Sequence, residues 1–187
     1  MRDGEYVNSM NVEDRFETDA DAYAAYLKTV EGRLRLDLAW ENLRVFVSGG
    51  VEIEGARTTG GPIPRALDLG GGTGALSVRL AGLGHEVALV DPSAAMLAIA
   101  GEAARQEAGA FDRLSFHQTD AAGAARHFAP RSFALAACHN VLEYVPDVPA
   151  VMRALGSLLG EGGLVSLLVR QRAGEVMRAA LKAHDLE

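Results

Sequence analysis

Leu67-Asp68-Leu69-Gly70-Gly71-Gly72-Thr73-Gly74 is the stretch on which the fold turns. A short apolar run, Ala66, Leu67 and Leu69, gives way to three consecutive glycines and a fourth at Gly74. After these, Ala75, Leu76, Val78, Leu80 and Ala81 carry helical spacing. The pattern predicts a strand, a tight turn and a helix start. Glycines at such a junction accept positive φ and let a ligand approach the backbone, while the free N–H groups of the first helical turn face it. A turn of this kind suits a nucleotide-like ligand.

Downstream the alternation continues. Strand-like runs are expected at Ala66 to Leu69, Val87 to Val90, Leu114 to His117, Phe133 to Cys138 and Leu164 to Val169. Helical runs are expected at Ala75 to Leu83, Ser93 to Gln106, Ala121 to His127, Val148 to Leu159 and Gly174 to His184. Strands and helices at this spacing imply right-handed crossovers and a parallel sheet covered on both faces. The fold class is therefore α/β, a Rossmann-like doubly wound sheet of order 3-2-1-4-5. Its ligand belongs outside the carboxyl ends of the strands, where the order reverses.

Upstream, Met1 to Asn11 is polar, and Val12 to Val30 reads as a helix with Phe16, Tyr23, Tyr26 and Leu27 as apolar members. A second helix is expected from about Gly32 to Val47, with Leu36, Trp40, Leu43 and Val47 on one stripe. Ser48 to Pro64 holds five glycines and two prolines and reads as a loop. One domain is expected over residues 1–187, with a helical cap and loop at 1–64 and the core at 65–187.

Composition narrows the function. With 187 residues, 49% of them hydrophobic, the chain has material for one core. A formal charge of −7, with no Lys/Arg run, gives no electrostatic footprint for nucleic acid, although local contacts stay open. Cys138 is the only cysteine, leaving no intramolecular disulfide and no cysteine-cluster metal site. The N-terminus lacks the order of a signal peptide, and the apolar stretch from Leu155 to Val169 is interrupted by Glu161 and glycines. The reading expects a soluble cytoplasmic protein without a metal.

The acids at the strand ends come next. Asp91, 21 residues after Gly70, can accept hydrogen bonds from both ribose hydroxyls, or cap the helix that opens at Pro92-Ser93. Asp120 can accept from an adenine amino group, with the Ala121 N–H donating to the ring, or cap the next helix. On spacing alone Gly70, Gly72 and Ala75 also satisfy a dinucleotide fingerprint, which leaves an NAD-dependent oxidoreductase open.

The flanking residues decide. Asp68 before the glycines, Gly84-His85-Glu86-Val87-Ala88-Leu89-Val90-Asp91-Pro92-Ser93, Cys138 to Val145 and Leu159 to Leu167 together resemble the class I S-adenosylmethionine-dependent methyltransferases. The resemblance implies that Asp68 lies near the methionine end of the cofactor. It further implies that Gly70, Gly71, Gly72 and Gly74 wrap the cofactor, that Asp91 holds the ribose, and that Asp120 with Ala121 contacts adenine. Arg15 to Leu43, with Gly32-Arg33-Leu34-Arg35 and Trp40-Glu41-Asn42-Leu43, and the stretch from His139 to Val145 are similar to the bacterial tRNA 5-carboxymethoxyuridine methyltransferases. That narrower likeness places Arg35 and His139 in the cofactor pocket. A guanidinium there can pair with the methionine carboxylate, or with Glu31 one helical turn away; His139 can instead be a satisfied strand-end histidine.

Two departures are visible. Arg170-Gln171-Arg172-Ala173-Gly174 stands where that family carries an Asn-Ala-His-Gly-like turn. The family also continues into an antiparallel strand pair, whereas this sequence stops at Glu187. Either the chain is a shortened member or the sequence is a fragment; both would leave the fifth strand as an edge for a partner or second copy, and part of the acceptor pocket missing. The expected activity is methyl transfer to a small molecule or a modified tRNA uridine. A carboxylate acceptor needs no general base; an amine or hydroxyl would call on His139 or Glu143, with Glu143 expected to be structural. Tyr23, Tyr26 and Trp40 could stack on an acceptor base, with core packing the better reading for Trp40. The alternative is a cofactor-binding module without turnover.

Overall fold

The computed structural model describes residues 18–47, 65–171 and 174. The expected polar segment at 1–11, the start of the expected first helix at 12–17, the loop at 48–64 and all but the first residue of the expected helix at 174–184 lie outside the described residues. Five parallel strands, β1 (Ala66–Leu69), β2 (Val87–Asp91), β3 (Leu114–Gln118), β4 (Phe133–His139) and β5 (Leu159–Leu168), form one sheet in the order β3-β2-β1-β4-β5. This is the predicted order. Helices α3 (Ala75–Gly82), α4 (Ala94–Gln106) and α5 (Val148–Leu158) connect strands, and α1 (Ala20–Leu27) and α2 (Val30–Val47) precede them. Strand β1 is buried at all four positions, as a central parallel strand covered on both faces must be.

Two apolar clusters fill the two faces. On one, Leu67, Leu69, Val90, Phe133, Cys138 and Leu155 pack together. On the other, Ala66, Leu80, Val87 and Leu135 meet Leu43 of α2, with Trp40 and Val47 against them. The predicted stripe on α2 is therefore real, and its C-terminal half belongs to the core of the sheet layer. Trp40 is a packing residue, as expected from its spacing. Arg79 of α3 reinforces the contact from outside, 2.6 Å from Asp37 and with its guanidinium 5.8 Å from the centre of the Trp40 ring.

Three elements differ from the sequence reading. The break between α1 and α2 falls at Thr29, whose hydroxyl donates to Tyr26 O (2.7 Å) and accepts from Gly32 N (3.1 Å). Helix α2 then starts at Val30, two residues before the expected Gly32. The predicted helix from Ala121 to His127 is only a 3₁₀ turn at Gly123–Arg126, held at its start by the Gly123 N–H donating to Asp120 Oδ1. Strand β5 begins at Leu159, not Leu164. From Phe133↔Leu159 to Leu135↔Leu164 the register advances two residues on β4 and five on β5, so the Gly-rich segment bulges before the ladder resumes. Among the described residues β5 pairs with β4 alone.

Candidate active site

A cavity of about 260 Å³ opens at the carboxyl ends of the strands, floored by the turn after β1 and roofed by α1 and α2. The turn is fixed from β2: Gly70 and Gly71 N–H both donate to Val90 O, at 2.7 and 3.1 Å, and Gly74 N–H donates to Gly71 O at 2.9 Å. Gly72 N–H donates to Asp91 Oδ2 at 2.9 Å. Gly72 has φ +53°, and a Cβ built there would meet only Met96 Sδ, 4.0 Å away. The space a side chain would occupy is thus open, as a ligand cradle requires.

Asp91 does not cap α4. Its Oδ1 accepts from Ser93 N–H at 3.0 Å, and Ser93 itself is the cap, its hydroxyl accepting from Met96 N–H at 3.1 Å. Asp91 is buried yet borders the cavity, with each carboxylate oxygen anchored by a backbone N–H. Two carboxylate oxygens offer about four lone-pair sites, the acceptor chemistry that a vicinal hydroxyl pair takes.

Asp68 sits at the floor of the cavity with 3% of its surface accessible. Its Oδ2 accepts from Ser77 Oγ at 2.7 Å, and the carboxylate also accepts from the Ser77 backbone N–H. Burial raises its pKa to about 6, the Ser77 hydroxyl opposing this and the charge of Asp91 adding to it.

Asp120 and Ala121 border the same cavity from the end of β3. Asp120 both holds the 3₁₀ turn through Gly123 N–H and lines the cavity, so its two proposed roles are compatible. His139 lines the cavity from the end of β4 with Nε2 2.8 Å from Ser166 Oγ, and burial pulls its pKa below the usual histidine value. Here too the satisfied strand-end histidine and the pocket residue coincide. Arg35 lines the roof from α2, and among the described residues it forms no ion pair with Glu31. Tyr23 joins it from α1, its phenol raised by burial and lowered by the Arg35 charge.

Gly70 and Gly71 complete the expected set in the cavity. Gly74 does not. It is buried away from the cavity, with φ +75° and a would-be Cβ only 2.8 Å from Ala100 Cβ, so it serves the close approach of α3 to α4. Glu143 is also outside: its Oε1 accepts from Arg170 N–H at 3.1 Å, tying the loop after β4 to the chain beyond β5. Sequence reasoning missed Asn140, which lines the cavity with φ +56° while its N–H donates to Leu168 O at 2.7 Å. Asn tolerates that conformation better than most residues, but nothing in the sequence marks the position as left-handed. Tyr144, bonded to Arg170 at 2.7 Å, was also missed as a lining residue.

The donor set fits a nucleoside with a charged amino-acid tail. Asp91 and the Gly72 backbone suit a ribose, Asp120 and the Ala121 N–H suit a purine edge, Arg35 suits a carboxylate and the buried Asp68 carboxylate suits a cation. Among the described residues four carboxylates, Asp68, Asp91, Asp120 and Asp147, border the cavity against one guanidinium, Arg35. No group of residues there could hold a metal ion, and no described helix is long and apolar enough to cross a membrane.

Comparison with known proteins agrees. Residues 67–165 match the methyltransferase domain family. The chain is 34% identical over 151 residues to the tRNA 5-carboxymethoxyuridine methyltransferase of Escherichia coli, an alignment covering 80% of this chain and 53% of that protein. It is 32% identical to the ubiquinone biosynthesis O-methyltransferase of Xanthomonas euvesicatoria, covering 68% of this chain and 48% of that one. The chain thus spans about half the length of these curated relatives. Among solved structures it shares its fold with magnesium protoporphyrin IX methyltransferase from Synechocystis with bound SAH. That match has a TM-score of 0.65 and 18% identity, over 94% of this chain and 78% of that one. It likewise resembles an S-adenosyl-L-methionine-dependent methyltransferase from Methanococcus maripaludis, assigned as such only provisionally, with TM-score 0.65 and 19% identity over 90% and 73%. Nothing in these comparisons points to the oxidoreductase that glycine spacing alone left open.

Proposed function

The chain belongs to the class I S-adenosylmethionine-dependent methyltransferases, and from that premise we propose that it transfers a methyl group to an anionic oxygen, with the carboxylate of a modified tRNA uridine as first candidate. The observation that carries the reading is the single cavity that holds Asp68, Gly72, Asp91 and Arg35 together. S-adenosylmethionine, when bound, supplies an electrophilic methyl group on a sulfonium.

The residues divide the work of holding it. Asp91 takes the ribose hydroxyls, Asp120 and Ala121 the adenine, Arg35 the methionine carboxylate. The turn from Gly70 to Gly72 lets the backbone approach, and α1 and α2 keep water from the reacting end. Methyl transfer is an in-line displacement, so positioning supplies most of the acceleration. An ionised carboxylate acceptor needs no base. With Glu143 committed to Arg170, His139 is the group available to take a proton from a hydroxyl acceptor, because its depressed pKa keeps it neutral at pH 7.

The 34% identity to a tRNA methyltransferase supports the uridine carboxylate. The test is incubation with methyl-labelled cofactor and unfractionated bacterial tRNA, followed by mild alkali. A methyl ester releases its label as methanol; label that survives alkali on the nucleoside would reject the carboxylate. The alternative reading is a cofactor-binding module without turnover. Saturable binding of S-adenosylhomocysteine with no labelled product would select it.

A further inference from the structure

In the proposed function the ends of β1 to β4 and the roof helix α2 hold the cofactor, and the end of β5 is left without a task. Arg170 stands there, two residues past Leu168, which closes β5 and lines the cavity. Ligands of parallel sheets lie beyond the carboxyl ends of the strands, so Arg170 puts a cation beside the mouth of the cavity. It also opens the run Arg170-Gln171-Arg172-Ala173-Gly174, in which this chain departs from the turn expected at that place.

Three contacts hold the residue. Its backbone N–H donates to Glu143 Oε1 at 3.1 Å, its Nη2 donates to the Tyr144 hydroxyl at 2.7 Å, and its guanidinium lies 5.6 Å from the centre of the Tyr144 ring. Tyr144 is itself part of the cavity wall. Arg170 Nε stands 3.9 Å from Glu143 Oε1, an ion pair without a hydrogen bond, and the side chain keeps 42% of its surface exposed. Among the described residues the guanidinium thus donates to Tyr144 alone, which leaves most of its N–H donors for a ligand. Across the mouth, burial raises the pKa of the Tyr23 phenol on α1; Arg35 opposes this and Arg170 adds to the opposition, so both guanidinium groups act on one phenol. Arg35 is assigned to the methionine carboxylate. Arg170 is a second guanidinium at the mouth, and no group of the cofactor is assigned to it.

We propose that Arg170, seated on Tyr144, is the residue that selects the acceptor: a planar carboxylate docks on the outward edge of its guanidinium, beside Tyr23 and Tyr144. The inference rests on the anionic-acceptor reading and deepens it by naming the group that recognises the anion. A guanidinium offers a carboxylate two parallel N–H donors, which a lysine ammonium does not. Methylation turns the acceptor into a neutral ester: an O–C bond forms while the S–C bond breaks, its electron pair stays on sulfur and no proton moves. The subsite therefore grips the substrate and lets the product go.

The experiment is titration calorimetry of the full chain saturated with S-adenosylhomocysteine. The probes are the nucleoside 5-carboxymethoxyuridine and its methyl ester, which differ in the one charge at issue. The wild type is expected to bind the acid about tenfold or more tighter than the ester, the ratio that a hydrogen-bonded charge pair gives. Arg170→Gln brings the two probes to equal affinity by weakening the acid alone, and Arg170→Lys restores part of the preference. Both variants keep the wild-type affinity for S-adenosylhomocysteine, which a general disturbance of the strand end would lower. Added salt narrows the gap between acid and ester in the wild type and not in Arg170→Gln.

A preference for the acid that persists in Arg170→Gln overturns the proposal, as does a wild type that binds acid and ester alike or binds neither. The labelled-tRNA test separates this inference from the function it rests on. Alkali-labile label on tRNA together with a preference that survives Arg170→Gln keeps the carboxylate acceptor and removes Arg170 from its recognition. A preference that Arg170→Gln abolishes, with no label on tRNA, supports the subsite and rejects turnover on that acceptor.

Discussion

Gly72 N–H and Asp91 Oδ2 are 2.9 Å apart, a bond that joins the turn after β1 to the last residue of β2 and so fixes where a ribose can lie. Asp91→Ala removes the acceptor for two backbone donors, the Gly72 and Ser93 N–H groups. A hydrogen bond to a charged group contributes about 1.5–3 kcal/mol. Calorimetry should show affinity for S-adenosylhomocysteine falling roughly 10- to 100-fold, with Asp91→Asn intermediate.

Gly72 and Gly74 separate binding from folding. Both have positive φ, but a Cβ at Gly74 would strike Ala100 at 2.8 Å, whereas at Gly72 the space is open. Gly74→Ala should lower stability by about 2–3 kcal/mol in urea while the folded fraction keeps its ligand affinity. Gly72→Ala should lower stability by about 1 kcal/mol and weaken S-adenosylhomocysteine at least about tenfold.

Arg35 can be assigned by what it ignores. If its guanidinium holds the amino-acid carboxylate, Arg35→Gln weakens S-adenosylhomocysteine by roughly tenfold or more and leaves 5′-methylthioadenosine, which lacks that carboxylate, unchanged. Equal loss for both ligands would mean that Arg35 shapes the roof instead.

Asp68 has a signature without any ligand. Its pKa of about 6 in the folded chain lies above the ordinary 3.8, so the native state holds the proton that the unfolded state has released. Stability contributed by this group is therefore complete below about pH 4 and is lost as pH rises to about 6. Asp68→Asn should gain on the wild type by on the order of 2–3 kcal/mol between those limits and no further above them, measured by urea unfolding.

On the cap, Trp40→Ala should lower stability by about 2–3 kcal/mol, because Trp40 packs against the cluster formed by Leu43, Leu80 and Leu135. Asp37→Ala, which removes the exposed partner of Arg79, should change it by under about 1 kcal/mol. Thermal melts distinguish the two.

The sheet order was legible because each parallel strand is a short apolar run followed by a turn and a helix, a pattern local in sequence. Nine of the ten expected site residues line one cavity because those expectations sit at strand ends or on the roof helix α2, and parallel strands bring their ends together. The tenth, Gly74, fails for a physical reason: the same residue type serves ligand approach and helix packing, and only the position of Ala100 says which. The start of β5 was misplaced because glycines in Leu159-Gly160-Glu161-Gly162-Gly163 read as a turn, although the bulge keeps them within the strand. Asn140 and Tyr144 became visible only in three dimensions, through Leu168 and Arg170 on the far side of the β4–β5 loop region.

Helix α2 lines the cavity with Arg35, Leu36 and Ala39, and a turn later it fills the main core with Leu43. It is not a detachable module. Grafting a relative's cap to alter which acceptor is admitted would import foreign core packing along with the new roof, so a successful chimera must take its crossover inside the helix, between Ala39 and Trp40.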